Sequence, residues 1–501
     1  MKLFLSVLLF LTAAGAWGAD LTPKVQALAD RSVLKGTSWA AMAVYTDGEP
    51  LFDIKPDLRL APASTLKLLT SAAVLDEFGA FYRFETALYA DTVPNEQGEI
   101  KNLYIRGAGD PTLGSDRVNG SLSWRELLRQ WSQEIRQAGV KRITGRIYAD
   151  VSLFEGPSVP PKITWQNMGN YFAAPATALA FNDNSFDIIF SPQPQHGALM
   201  EAVSFSPAPK GLNIRSFVTA DAKNRRDNAY VYAAPGQYDL EIYGTLPARS
   251  FGTYSISAAL PEPPKTLADL LTDTLKEDGV FVGQSPALLY QAPDYPAMHL
   301  LYLHRSAPMK DILEILNKRS FNFYAEMLLR MLAVRNGEKG STQAGVKQLM
   351  RFLKKNGISI KNLVLYDASG LSRDNQVTAQ TLTDVLTFMS KRPDFDFYYR
   401  SLATPQDRGD LLLLRRFLAP FKRIQDVRVK GGTIDGVKAQ AGYIKDKNGR
   451  LIAFAFIANN LLDKNEDINR FYEELIKLLL SQPEETSPSL KSPSVQYPLP
   501  A

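Results

Sequence analysis

Ala61-Pro62-Ala63-Ser64-Thr65-Leu66-Lys67-Leu68-Leu69-Thr70 is the stretch from which the rest of this chain is read. A proline ahead of an apolar run that continues through Ala72, Ala73, Val74 and Leu75 predicts the first turn of a buried helix. On that helix Ser64 and Lys67 share one face. A serine hydroxyl is a poor nucleophile until a base takes its proton. A lysine one turn away, desolvated so that its pKa falls, can be that base. The helix N-terminus also favours negative charge developing on oxygen. Taken alone the spacing is a weak signal, and Ser32-Val33-Leu34-Lys35 repeats it just before Gly36. The remainder of a site has to come from elsewhere in the chain.

With 501 residues, 45% hydrophobic and 22% charged, the composition is that of a globular protein of two to four domains. A net charge of +5 with no dense basic block argues against nucleic-acid binding and allows at most peripheral contact with a membrane. Residues 1–19 read as a secretory signal peptide: Lys2, an apolar run from Leu3 to Ala14, then the small residues around Ala16 and Ala19. The expectation is an exported protein of the periplasm or cell envelope. The absence of cysteine excludes disulfides, thiolate metal sites and cysteine nucleophiles. The histidines, His196, His299 and His304, lack metal-ligand spacing, so neither metal nor cofactor is expected. Asp150 and Glu155 read as a solvated loop rather than an acid–base pair.

Strand-like runs at 39–45 and 51–54, joined through Asp47-Gly48-Glu49, precede the Ser64 helix. Beyond residue 85 the texture is rich in strands, with one helix over 123–138. Helical patterns return from 266, and three strands over 427–457 lead into a last helix over 466–480. The segment 481–501, rich in proline, serine and glutamate, reads as a disordered tail.

Two further motifs supply what Ser64 and Lys67 need. Ser320-Phe321-Asn322 opens a strongly helical run, where a hydroxyl can pass a proton to a leaving group and an amide can hold a substrate backbone. Arg428-Val429-Lys430-Gly431-Gly432-Thr433 lies on a strand. Its glycines let a substrate chain lie against an open edge while the lysine reaches a carboxylate.

In this order and context, Ser-x-x-Lys, Ser-x-Asn and Lys-x-Gly resemble the motif set of penicillin-binding proteins and related β-lactamases. Over residues 20–480 the chain resembles the class C low-molecular-mass penicillin-binding proteins, that is, D-alanyl-D-alanine carboxypeptidases and endopeptidases of the penicillin-binding protein 4 type. Gly109-Asp110-Pro111-Thr112-Leu113, Ala174-Pro175 and Asp367-Ala368-Ser369-Gly370-Leu371-Ser372-Arg373 carry the likeness further.

The resemblance implies an α/β (α+β) architecture: a serine β-lactamase/D,D-peptidase-like domain with a large, mostly β nested insert. The acylase domain would comprise 20–85 and 290–480, and the insert 86–172 and 259–289. A second insert, 173–258, would be nested in the first. Ser64 would attack the D-Ala–D-Ala carbonyl of a peptidoglycan stem peptide, Lys67 would take its proton, and Ser320 would protonate the leaving amine. Asn322 would hold the penultimate amide, Lys430 would attract the carboxylate, and the backbone N–H groups of Ser64 and Thr433 would form the oxyanion hole. β-Lactams would acylate Ser64.

Two positions depart from the family pattern. Gly431 stands where Lys-Thr-Gly has its threonine. A charge-assisted hydrogen bond to the substrate carboxylate is worth about 1.5–3 kcal/mol. Its loss predicts weakened carboxypeptidase activity, altered substrate preference, or a protein that binds peptidoglycan with little turnover. Asn167, in Trp165-Gln166-Asn167-Met168, replaces an acidic residue that faces the substrate side chain in the family, whereas Arg373 is retained and would face a diamino-acid carboxylate.

Overall fold

A computed structural model describes residues 20–462 and 465–482 of the chain. The expected signal peptide, and the expected tail beyond residue 482, lie outside the described residues.

A five-stranded antiparallel sheet brings the two ends of the chain together. Its order is Val427–Ile434, Val437–Lys445, Leu451–Asn459, Ser38–Tyr45 and Pro50–Ile54. Strand residues alternate between faces, so each strand feeds two cores. Ala439, Ala441, Tyr443, Ala453, Ala455 and Ile457 belong to a core shared with the helices Lys67–Phe78, Asn322–Arg335 and Ala379–Met389. Ile444, Ile452, Phe454, Phe456 and Ala458 face the other way, toward the helices Thr22–Asp30 and Asn465–Leu480. The Lys67–Phe78 helix is buried on all sides from Lys67 to Leu75, as its nearly unbroken apolar sequence requires.

The intervening chain builds a separate core around a mixed sheet. That sheet runs Ala287–Leu289, Ile147–Asp150, Leu103–Arg106, Glu85–Ala90 and His299–Arg305. Helices Trp124–Gln137 and Pro263–Glu277 pack into the same core. The first of these is fixed at its start by Ser123 and Glu126, which cap each other's backbone N–H groups. Three small three-stranded sheets complete the region.

The strand His299–Arg305 lies in the segment 290–480 that the sequence reading gives to the acylase domain, yet it joins the sheet of the intervening chain. It pairs antiparallel with Glu85–Ala90, so the insert leaves and re-enters the acylase region through adjacent strands. Asp150 is likewise not in a solvated loop. It ends a central strand, is 3% exposed, and its Oδ2 accepts a 2.5 Å hydrogen bond from the Tyr295 hydroxyl.

Candidate active site

Ser64 sits in a single 3₁₀ turn, Ala63–Leu66, from which the helix continues at Lys67. Ala63 enters that turn with φ +45°, a left-handed conformation that a side chain disfavours by about 1–2 kcal/mol. The surroundings hold it there. A Cβ on Gly370 would overlap the Ala63 carbonyl, and one on Gly432 would lie 2.7 Å from Ser64 N. The Ser64 turn is therefore wedged between the loop at 367–373 and the edge strand Val427–Ile434.

Lys67 is fully buried. Its Nζ lies 2.9 Å from Ser64 Oγ, 2.8 Å from Asn322 Oδ1 and 2.6 Å from the Ser369 carbonyl oxygen. The Asn322 amide is oriented by its other end, which donates from Nδ2 to the Phe172 carbonyl at 2.8 Å. Burial lowers the Lys67 pKa to about 7, against the opposing pull of Asp367 and Glu326. A neutral lysine has two N–H bonds and one lone pair. Asn322 Oδ1 and the Ser369 carbonyl can only accept, so they take the two hydrogens. The lone pair is then left for the Ser64 hydroxyl, which is the arrangement a general base requires.

The loop carrying the Ser369 carbonyl is built from the inside. Asp367 accepts from the N–H groups of Gly370 and Ser372 and from Asn375 Nδ2, at 2.7–2.8 Å. Glu326, on the Asn322 helix, accepts from the N–H groups of Ala368 and Ser369 at 3.1 and 3.0 Å. Burial and the adjacent Asp367 push the Glu326 pKa up to about 7. Three donors hold Asp367 as the charged member of this pair, and Glu326 Oε2 has no hydrogen-bond partner among the described residues. Glu326 is therefore the member of the pair that takes up a proton as pH falls through about 7. Sequence reasoning missed Glu326, whose signal was an acidic residue inside the apolar run Phe323 to Leu329.

Ser320 adopts φ +57° immediately before its helix. Its Oγ accepts from Lys430 Nζ at 2.9 Å, and the same ammonium donates to the Gly431 carbonyl at 2.7 Å. Lys430 thus orients the hydroxyl from below while leaving the Ser320 hydrogen to be donated. On the outer side of the edge strand, Val429 exchanges two backbone hydrogen bonds with Ala403. By the two-residue alternation of a strand, Gly431 and Thr433 point their N–H groups to the same outer edge, beyond that bridge.

Ser64, Lys67 and Asn322 are therefore joined by hydrogen bonds, Ser320 and Lys430 form a second pair beside Asn322, and Gly431 and Thr433 lie on the strand packed against the Ser64 turn. Arg373 is exposed and reaches the turn at Gly436, next to the end of this strand. Asn167 is half-buried on the short helix Trp165–Met168 and stands outside the hydrogen-bonded cluster. Its segment reaches the site through Met168 and Phe172, which share a small apolar cluster with Leu371, and through the Phe172 carbonyl that accepts from Asn322. Among the described residues no group of His, Cys, Asp or Glu is arranged to hold a metal, and no helix is long and apolar enough to cross a membrane.

This fold is a known one. Penicillin binding protein 4 (dacB) from Haemophilus influenzae superposes with a TM-score of 0.77 at 23% identity, covering 91% of this chain and 99% of that one. In sequence, the D-alanyl-D-alanine carboxypeptidase of Actinomadura sp. (strain R39) is 28% identical over 89% of this chain and 82% of its own length. The D-alanyl-D-alanine carboxypeptidase DacB of Haemophilus influenzae is 26% identical over 79% and 80%. Residues 21–478 match the D-Ala-D-Ala carboxypeptidase 3 (S13) family, and the chain belongs to that family of serine peptidases.

Proposed function

We propose that this peptidase hydrolyses D-Ala–D-Ala bonds of peptidoglycan peptides, as carboxypeptidase, endopeptidase or both, through an acyl-enzyme on Ser64. One observation carries the reading. The lone pair of a neutral, buried Lys67 has only the Ser64 hydroxyl to face. Ser64 Oγ attacks the carbonyl as its proton passes to Lys67 Nζ, and the N–H groups of Ser64 and Thr433 receive the oxyanion. The C–N bond then breaks, with Ser320 giving its proton to the departing amine and regaining one from the Lys67 ammonium, so that Lys67 is neutral again for the attack of water. Water hydrolyses the ester, regenerating Ser64. Lys430 favours the substrate carboxylate, and Asn322 the penultimate amide. Arg373 and Asn167 are the residues that would meet the side chain of the stem peptide.

A structure of the Haemophilus influenzae protein has been solved in complex with a β-lactam. Trapping of a β-lactam on Ser64 is the corresponding expectation here. The test is labelling with a fluorescent penicillin, with Ser64→Ala as control, alongside release of D-alanine from a D-Ala–D-Ala peptide. Absence of label on the intact chain would favour instead a peptidoglycan-binding protein of little turnover. An address in the periplasm or envelope rests on residues 1–19, and fractionation with N-terminal sequencing of the mature chain tests it.

A further inference from the structure

Gly431 is where the sequence leads one to expect a hole, and the hole is filled. A Cβ built on Gly431 would fall inside the guanidinium of Arg408, against its terminal nitrogens and Cζ. A side chain at 431 and the observed position of Arg408 exclude each other. The glycine is what admits the arginine.

The segment that delivers Arg408 is fixed at both ends of a tight turn. Ala403 is bonded to Val429 on the outer edge of the strand. Thr404 then donates from both its N–H and its hydroxyl to Asp407 Oδ2 at 2.9 Å, and Asp407 N–H returns to the Thr404 carbonyl at 3.0 Å. Arg408 follows directly, half-buried, with its guanidinium over Gly431. Position 431 shares its face with Thr433 and alternates with Lys430, whose ammonium points to Ser320. The guanidinium thus lies on the face opposite the Lys430 side chain, beside the stretch of edge along which a substrate backbone would lie.

We propose that Arg408 binds the free carboxylate that follows the scissile bond, in the place left by a side chain at 431. The inference rests on the peptidase reading above. A hydroxyl supplies one neutral donor. A guanidinium supplies a planar fork of charged donors that matches a carboxylate in two-point geometry. On this account Gly431 and Arg408 form one exchange of residues, and the expected weakening of carboxypeptidase activity does not follow.

The test compares two N-acyl-D-alanyl thioesters, one whose leaving thiol carries a carboxylate and one whose thiol carries a carboxamide. Wild-type protein should prefer the first. Arg408→Gln should lower kcat/KM for the carboxylate on the order of 10- to 100-fold and leave the carboxamide within about threefold. Arg408→Lys should recover part of the loss. A folding defect would lower both substrates together, so the ratio isolates the charge contact. Equal losses on both, no loss, or a gain in Arg408→Gln overturns the role of Arg408 while the Ser64 label still reports on the peptidase. Failure of the wild type to turn over either thioester overturns the peptidase reading, and this inference with it.

Discussion

Lys67 Nζ hydrogen-bonds the backbone carbonyl of Ser369 at 2.6 Å, across 302 positions of sequence. With Asn322 Oδ1 as the second acceptor, this carbonyl sets the direction of the lysine lone pair. Protonation removes that lone pair, and the pKa is about 7. Acylation should therefore rise about tenfold per pH unit below 7 and level off above it. The measurement is the second-order rate of penicillin labelling between pH 5 and 9. A flat profile would mean that Lys67 is not the base.

Much of this site could be read before the fold was known. Ser64, Lys67, Ser320, Asn322 and Lys430 announce themselves through side-chain chemistry at fixed spacings, and the strand and helix around each follow from local pattern. The Ser369 carbonyl could not be read that way, because a main-chain acceptor has no residue signature. Arg408 was invisible for a different reason. Its importance lies in a volume that Gly431 leaves open, and volumes belong to the tertiary arrangement. Leu300 to Leu303 reads as a strand from local pattern, and the strand His299–Arg305 forms there. Its partner, Glu85–Ala90, lies more than two hundred residues away, and no local pattern specifies which sheet a strand joins.

Glu326 offers a test of how the buried acids tune the base. Its negative form raises the Lys67 pKa, so Glu326→Gln should move the acylation midpoint to lower pH. The folded state raises the Glu326 pKa from 4.5 to about 7. Stability from that shift is fully present below pH 4.5 and is lost as pH rises through 7, amounting to up to roughly 3 kcal/mol. The glutamine amide of the variant stays neutral throughout. Denaturant melts at pH 5 and pH 8 should show the variant gaining on wild type at the higher pH. An upward shift of the midpoint would refute the electrostatic assignment.

Ser320 is held at φ +57°, where any side chain is strained. Ser320→Ala and Ser320→Gly both remove the hydroxyl that accepts from Lys430, so both should slow acylation by about 10²–10⁴-fold. They should differ in stability. Glycine escapes about 1–2 kcal/mol of left-handed strain and gives back about 0.5–1 kcal/mol as unfolded-state entropy. Ser320→Gly should accordingly be the more stable of the two by up to about 1.5 kcal/mol in urea melts. The reverse order would show that the conformation at 320 relaxes once the hydroxyl is gone.

Gly370 and Gly449 separate conformational strain from close approach. Both have left-handed φ, +81° and +82°. Around Gly449, in the hairpin before the strand Leu451–Asn459, nothing lies within 4 Å of an added Cβ, whereas at Gly370 that atom would land on the Ala63 carbonyl. Gly449→Ala should cost only the backbone term, about 1–2 kcal/mol, and leave penicillin labelling intact. Gly370→Ala adds overpacking of about 1–3 kcal/mol, which can be relieved only by moving the Ser64 turn or the loop that supplies the Ser369 carbonyl. Either movement disturbs the geometry on which Lys67 depends. Gly370→Ala should lose most of its labelling even well below its melting temperature, and normal labelling there would show that the close contact with Ala63 does not position the nucleophile.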